Sequence, residues 1–247
     1  WKDDKEYASA AAAGLDNTSG GSTGTDSKFA ILRYTGTGSE ITMGHSLGAT
    51  PAFAIHKCIS HSGDWTVWHD GLDSLGKILN LNGTGAQSNM SSGITSWNST
   101  QLVMDTDGGV NSSGRDYLLY LWANVPGVQK FGSYEGNQDT NGPYVELGFR
   151  PALLIVKNVD AGSSLWLIAD KERNKFNPID SYLQAQSADD EYGPLNGDSA
   201  YTWVDFLSNG FKLRQTGVSL NASNTYIYMA WADQPEHNLY GGQFHAR

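Results

Sequence analysis

At 247 residues, with 39% hydrophobic and 17% charged side chains, the chain can form one large or two ordinary domains and is too apolar for intrinsic disorder. A formal net charge of −10 argues against nucleic-acid binding, which needs a basic face, and disfavours anionic membranes. Cys58 is the single cysteine, so an intrachain disulfide is excluded and folding in a reducing compartment is favoured.

In chain order, residues 1–27 read as an N-terminal connector. Lys2 to Gly14 is charged and then Ala-rich, hence helix-compatible, and Asn17 to Thr25 is a Gly/Ser/Thr linker by composition. The chain begins at Trp1 rather than Met and reads as a fragment or processed product. From Phe29 onward the texture is β. Strand-like runs are expected at 29–34, 52–59, 65–69, 77–81, 101–104 and 116–122, separated by turn signals such as Asn82-Gly83 and Ser113-Gly114. Cys58 sits in the second of these runs and is expected to be a buried, inert thiol. A second set follows at 130–134, 152–159, 165–169, 201–207, 211–215 and 225–231. The last of these is apolar or aromatic at every position from Tyr226 to Trp231, which suits a strand covered on both faces. No stretch has useful helical periodicity, transmembrane length or a signal-peptide pattern.

The two sets match. Tyr34-Thr35-Gly36 returns as Tyr134-Glu135-Gly136, Leu47-Gly48 as Leu147-Gly148, Pro51-Ala52 as Pro151-Ala152 and Lys57 as Lys157. Later pairs keep a longer offset: Trp97 with Phe206, Tyr117 with Tyr226 and Trp122-Ala123 with Trp231-Ala232. The spacing predicts an all-β protein of two tandem β-sandwich repeats, lectin-like or immunoglobulin-like, at 28–126 and 127–235, with a C-terminal tail at 236–247.

Motifs that carry chemistry are few. Gly44-His45-Ser46-Leu47-Gly48 fits the nucleophile-elbow pattern, but an expected strand follows where a hydrolase needs a helix, and the second copy lacks the serine. Asp105 to Asn111 resembles half of a calcium loop and lacks its closing glutamate, so Asp105 and Asp107 stay an open question and a hairpin turn is the simpler reading. His45, His56, His61 and His69 have no metal-ligand spacing, and no metal or other cofactor is expected. Trp65 and Trp166 are equivalent between the copies and read as core, whereas Trp68 alternates with Trp65 and is the tryptophan expected to face solvent as a sugar platform. The run from Asp170 to Pro178 is the densest charge mixture, and it lies where the second copy departs from the first. Asp170, Lys171, Arg173 and Asn174 are therefore candidate binding residues, against the plainer reading of a solvated loop. Asp189-Asp190-Glu191 has no positional support as a catalytic carboxylate pair.

The Tyr34-Thr35-Gly36-Thr37-Gly38 opening, the Gly44 to Pro51 frame and the Asn111-Ser112-Ser113-Gly114 turn resemble repeats in virion proteins of tailed phages, often of marine bacteria. So do Phe131-Gly132-Ser133-Tyr134, Gly148 to Ala152, Leu207 to Lys212, Asn221-Ala222-Ser223 and the closing Tyr240-Gly241-Gly242-Gln243. The resemblance covers about residues 29–247 and implies no catalytic residue. It implies a non-enzymatic tail or head fibre or appendage that recognises a host-surface glycan, is located in the virion, contacts other virion proteins and forms homo-oligomers, trimers by analogy. The alternatives are a capsid decoration or adaptor protein without receptor binding, a cell-surface lectin or adhesin module, and a glycan-degrading enzyme.

Overall fold

The computed structural model describes residues 5–7, 20–24, 28–106, 109–193 and 202–233. The described residues are all-β, with no helix among them and so none long and apolar enough to cross a membrane. The chain divides into two compact units, one of Trp1–Leu81 and Gln87–Asn124, the other of Asn82–Ala86 and Val125–Arg247. Asn82–Ala86, which lies between strands of the first unit in the sequence, groups with the second.

In unit 1 the strands are β1 (Lys5–Tyr7), β2 (Gly20–Gly24), β3 (Phe29–Thr35), β4 (Ile41–Gly44), β5 (Phe53–Cys58) and β6 (Trp65–His69). They continue with β7 (Lys77–Asn80), β8 (Ser88–Asn89), β9 (Ile94–Trp97), β10 (Gln101–Met104) and β11 (Asp116–Trp122). The large sheet has the order β1-β2-β3-β11-β5-β6-β7-β8, and β4-β10-β9 form the second sheet. In unit 2 the strands are β12 (Gln129–Glu135), β13 (Tyr144–Glu146), β14 (Pro151–Asn158), β15 (Trp166–Asp170) and β16 (Leu183–Gln184). They end with β17 (Val204–Leu207), β18 (Gly210–Leu213) and β19 (Thr225–Ala232). Its sheets run β12-β19-β14-β15-β16 and β13-β18-β17. The order β3-β11-β5-β6-β7 in unit 1 thus has the same connectivity as the large sheet of unit 2.

Each unit is a sandwich because pleated strands send alternate side chains to one shared interior. On β3, Ala30, Leu32 and Tyr34 are buried among Met43 of β4 and Leu102 and Met104 of β10. In unit 2, Tyr226, Tyr228 and Ala230 of β19 lie in one cluster with Val145, Phe206 and Phe211 of the smaller sheet. Tyr226 to Trp231 are all buried, as expected of a strand covered on both faces.

Two expectations change. Lys5–Tyr7, read as helix-compatible, is a strand paired with Gly20–Gly24, which in turn pairs with β3. Without it β3 would be a sheet edge with unmet backbone groups, and backbone pairing asks nothing of side chains, so a Gly/Ser/Thr run can supply it. The rest of the 1–27 connector, apart from these two strands, and the 236–247 tail lie outside the described residues. The short strands β4, β9 and β13 fall where the sequence reading names no strand, three or four residues being short for a period to show.

Candidate functional site

The residues that recur between the two halves hold the sandwiches together. In unit 1 the ring of Tyr34 stacks on Tyr117 at 5.1 Å, and its hydroxyl donates to the Val110 carbonyl. In unit 2 Tyr134 stacks on Tyr226 at 5.0 Å and donates to Leu220 O at 2.6 Å. The fully buried Asn111 accepts from Thr37 N–H through Oδ1 and donates through Nδ2 to the carbonyls of Ser39 and Asp105. Asn221 does the same with Asn137 N–H and the carbonyl of Asp139. Glycine is required beside each tyrosine, since a Cβ on Gly36 would lie 2.2 Å from Ser112 O and one on Gly136 1.9 Å from Ala222 O. These motifs build architecture.

The other motif candidates resolve similarly. Ser46 follows β4 and leads through a turn, not a helix, and Gly48 and Gly148 both take positive φ (62° and 83°), so the shared Leu-Gly is a left-handed turn. Asp105 Oδ1 accepts from Thr106 N–H, Asn111 is committed as above, and Asp107 lies outside the described residues. Among the described residues no group of three His, Cys, Asp or Glu could hold a metal ion. His56 is buried against Tyr117 and Trp68, and burial pushes its pKa down to about 3. His45 is also buried, and burial lowers it although its Nε2 lies 3.1 Å from Asn98 O. His69 Nδ1 accepts from Gly71 N–H. Cys58 is buried, as expected.

The tryptophans correct an expectation. Trp68 is fully buried in the unit 1 core, and its equivalent-face neighbour Thr66 is buried too, so it offers solvent no sugar platform. Trp65, expected in the core, is 38% exposed, while Trp166 is fully buried. Alternation places Trp65 and Trp68 on opposite faces of β6 but does not say which face is covered. Lys57 Nζ stands 5.8 Å over the Trp65 ring, and β5–β6 pairing sets the two residues opposite each other.

The remaining candidates meet in one loop of unit 2. Asp170, at the end of β15, accepts from the N–H groups of Glu172 and Arg173. Its other oxygen lies 3.3 Å from Arg173 Nε without hydrogen-bond alignment, and the guanidinium also pairs with Glu191. Lys171 pairs with Asp233 and Glu172, and the bond to Asp233 raises its pKa. Asn174 donates to Asp180 Oδ1 at 2.6 Å and accepts from the N–H groups of Asp180 and Ser181. Asn177 exchanges two 2.9 Å hydrogen bonds with the backbone of Phe206, pinning the far limb of the loop to β17, and the Asn177–Pro178 bond is cis.

All four polar candidates are therefore brought together, yet each is half-buried and engaged within the fold. They present Phe176, which is 85% exposed at the loop tip beside exposed Lys175. Charge density located the loop; the ring was missed, though it is the one large apolar side chain between Lys171 and Pro178. The arrangement can offer an exposed apolar ring, carried on a hydrogen-bonded loop, to a partner's apolar face.

A family model described as Domain of unknown function (DUF7483) matches residues 1–235. No curated protein and no solved structure matches the chain.

Proposed function

We propose that this chain, which belongs to the DUF7483 family, is a non-enzymatic structural protein of a tailed-phage virion, a tail or head fibre or appendage that recognises a host-surface glycan. The observation that carries the recognition reading is the Asp170–Ser181 loop. Asn174 is engaged with Asp180 and Ser181, Lys171 with Asp233 and Arg173 with Asp170 and Glu191, which limits the freedom left to lose on binding, and Phe176 stands out from the loop. The C–H face of a sugar ring suits a flat aromatic, and Lys175, its exposed chain neighbour, can meet hydroxyl groups. The matched strand order of the two units fits a tandem of like sandwiches, a form in which serial scaffolds are built.

Two measurements test this reading. Immunogold labelling of intact particles with antibody against this chain is expected on the tail or on projecting fibres. Uniform label over the shell would replace recognition with capsid decoration, and no label on any particle would favour a cell-surface lectin. Binding of the purified protein to host cells and extracted surface polysaccharide is expected to be lost in Phe176→Ala. Unchanged binding would remove the loop from the recognition role.

A further inference from the structure

We infer that copies of this chain associate head to tail, the surface around Ile59, Gly63 and Trp65 of unit 1 receiving the Ser187–Asp190 segment from unit 2 of a second copy. The inference goes beyond the proposed function by naming two surfaces through which copies meet. It does not involve Phe176.

Sheet register makes the two units comparable position by position. Lys57 pairs with Trp65 as Lys157 pairs with Trp166, and Cys58 faces Tyr117 as Asn158 faces Tyr226. After the next strand, Leu81 N–H donates to Trp65 O at 2.9 Å and Ala185 N–H to Trp166 O at 3.3 Å. Asn82–Ala86 therefore follows β7 as Gln186–Asp190 follows β16.

In unit 2 the surface beside Trp166 has an occupant. Asn82–Ala86 belongs to this unit, and the Thr84 carbonyl accepts from Ser164 N–H at 3.1 Å and from Lys157 Nζ at 3.4 Å. Lys157, Val159, Ser164 and Trp166 are all buried there. At the same positions of unit 1, Ile59 is 47% and Trp65 38% exposed, and Gly63 is exposed. The complementary element is also exposed: Ala188, Asp189 and Asp190 of unit 2, the register counterparts of Thr84, Gly85 and Ala86.

Acceptor and donor thus each occur twice in the chain, and one of each is already engaged. The contact made by Thr84 is through its backbone carbonyl, so Ala188 in its place can make the same bond to Gly63 N–H. Lys57 borders the acceptor and Asp189-Asp190 form the donor, which sets opposite charges against each other. Asp64, also exposed there, accepts from Asn80 Nδ2 at 3.3 Å. A surface meeting a different surface is heterologous, so association closes into a ring or extends as a filament.

Sedimentation velocity over about 5–200 μM, a range suited to a small interface, is the test. Wild type is expected to associate with rising concentration. Ile59→Asp, which removes the acceptor, and the pair Asp189→Lys and Asp190→Lys, which removes the donor, should each weaken association at least about tenfold. Mixing the two variants should restore dimers and nothing larger, because each retains one intact surface. Circular dichroism on each variant checks that these exposed substitutions leave the fold intact, and Lys57→Glu is the milder acceptor change if Ile59→Asp does not fold. A wild type that stays monomeric throughout, oligomers indifferent to both variants, or a mixture that remains monomeric would overturn the inference. None of these outcomes bears on glycan binding by Phe176→Ala.

Discussion

Tyr34 donates its hydroxyl to the carbonyl of Val110, 76 positions along the chain, while its ring lies stacked on Tyr117. Tyr134 makes the same pair of contacts with Leu220 and Tyr226. Each ties the first core strand of a unit to the turn before its last strand, so each closes nearly the whole sandwich.

Tyr34→Phe should therefore lower stability by about 1–3 kcal/mol, because a buried carbonyl loses its donor. Tyr134→Phe should cost a similar amount, and urea denaturation of both variants measures it. Gly36→Ala and Gly136→Ala should each destabilise by about 1–3 kcal/mol or more, since the new methyl meets a backbone oxygen that cannot swing away.

His56 gives the fold an acid weakness. Burial holds the folded imidazole at about 3, against about 6.5 in the unfolded chain. Between those values the unfolded state binds the extra proton, so stability present above about pH 6.5 is lost as pH falls towards 3. The loss approaches about 1.4 kcal/mol per pH unit within that window. His56→Val, which copies Val156 at the same register of unit 2, should flatten this dependence when denaturation midpoints at pH 7 and pH 4.5 are compared.

Phe176→Ala should leave stability within about 0.5 kcal/mol of wild type, because the ring is almost wholly in water. Host-surface binding should fall at least about tenfold. A variant that binds normally would mean that the ring is incidental.

Asn174→Ala should act on the presentation of the loop. It removes one donor bond and two acceptor bonds, so the amides of Asp180 and Ser181 should exchange faster and stability should fall by about 1–2 kcal/mol. Hydrogen exchange read at those two amides separates this local loosening from global unfolding.

Much of the fold was legible because β structure writes itself in a two-residue period broken by Gly, Asn and Pro. The runs at 29–34 and 116–122 became β3 and β11 almost unchanged, and Tyr226 to Trp231 announced a strand covered on both faces. The site was legible only in outline. Dense mixed charge singled out Asp170, Lys171, Arg173 and Asn174, but opposite charges crowded on a short loop pair with one another, as Arg173 does with Asp170 and Glu191. What that pairing leaves outward is Phe176.

By itself the sequence determined an all-β chain, the long strands of its two large sheets, and the tyrosines and glycines that recur between its halves, since these follow from local period and spacing. The tertiary structure alone decided that Trp68 is buried and Trp65 exposed, that Gly20–Gly24 pairs as a strand, and that Asn82–Ala86 belongs with unit 2. Alternation assigns a side chain to one of two faces of a strand; which face meets water depends on segments distant in the chain that pack against it.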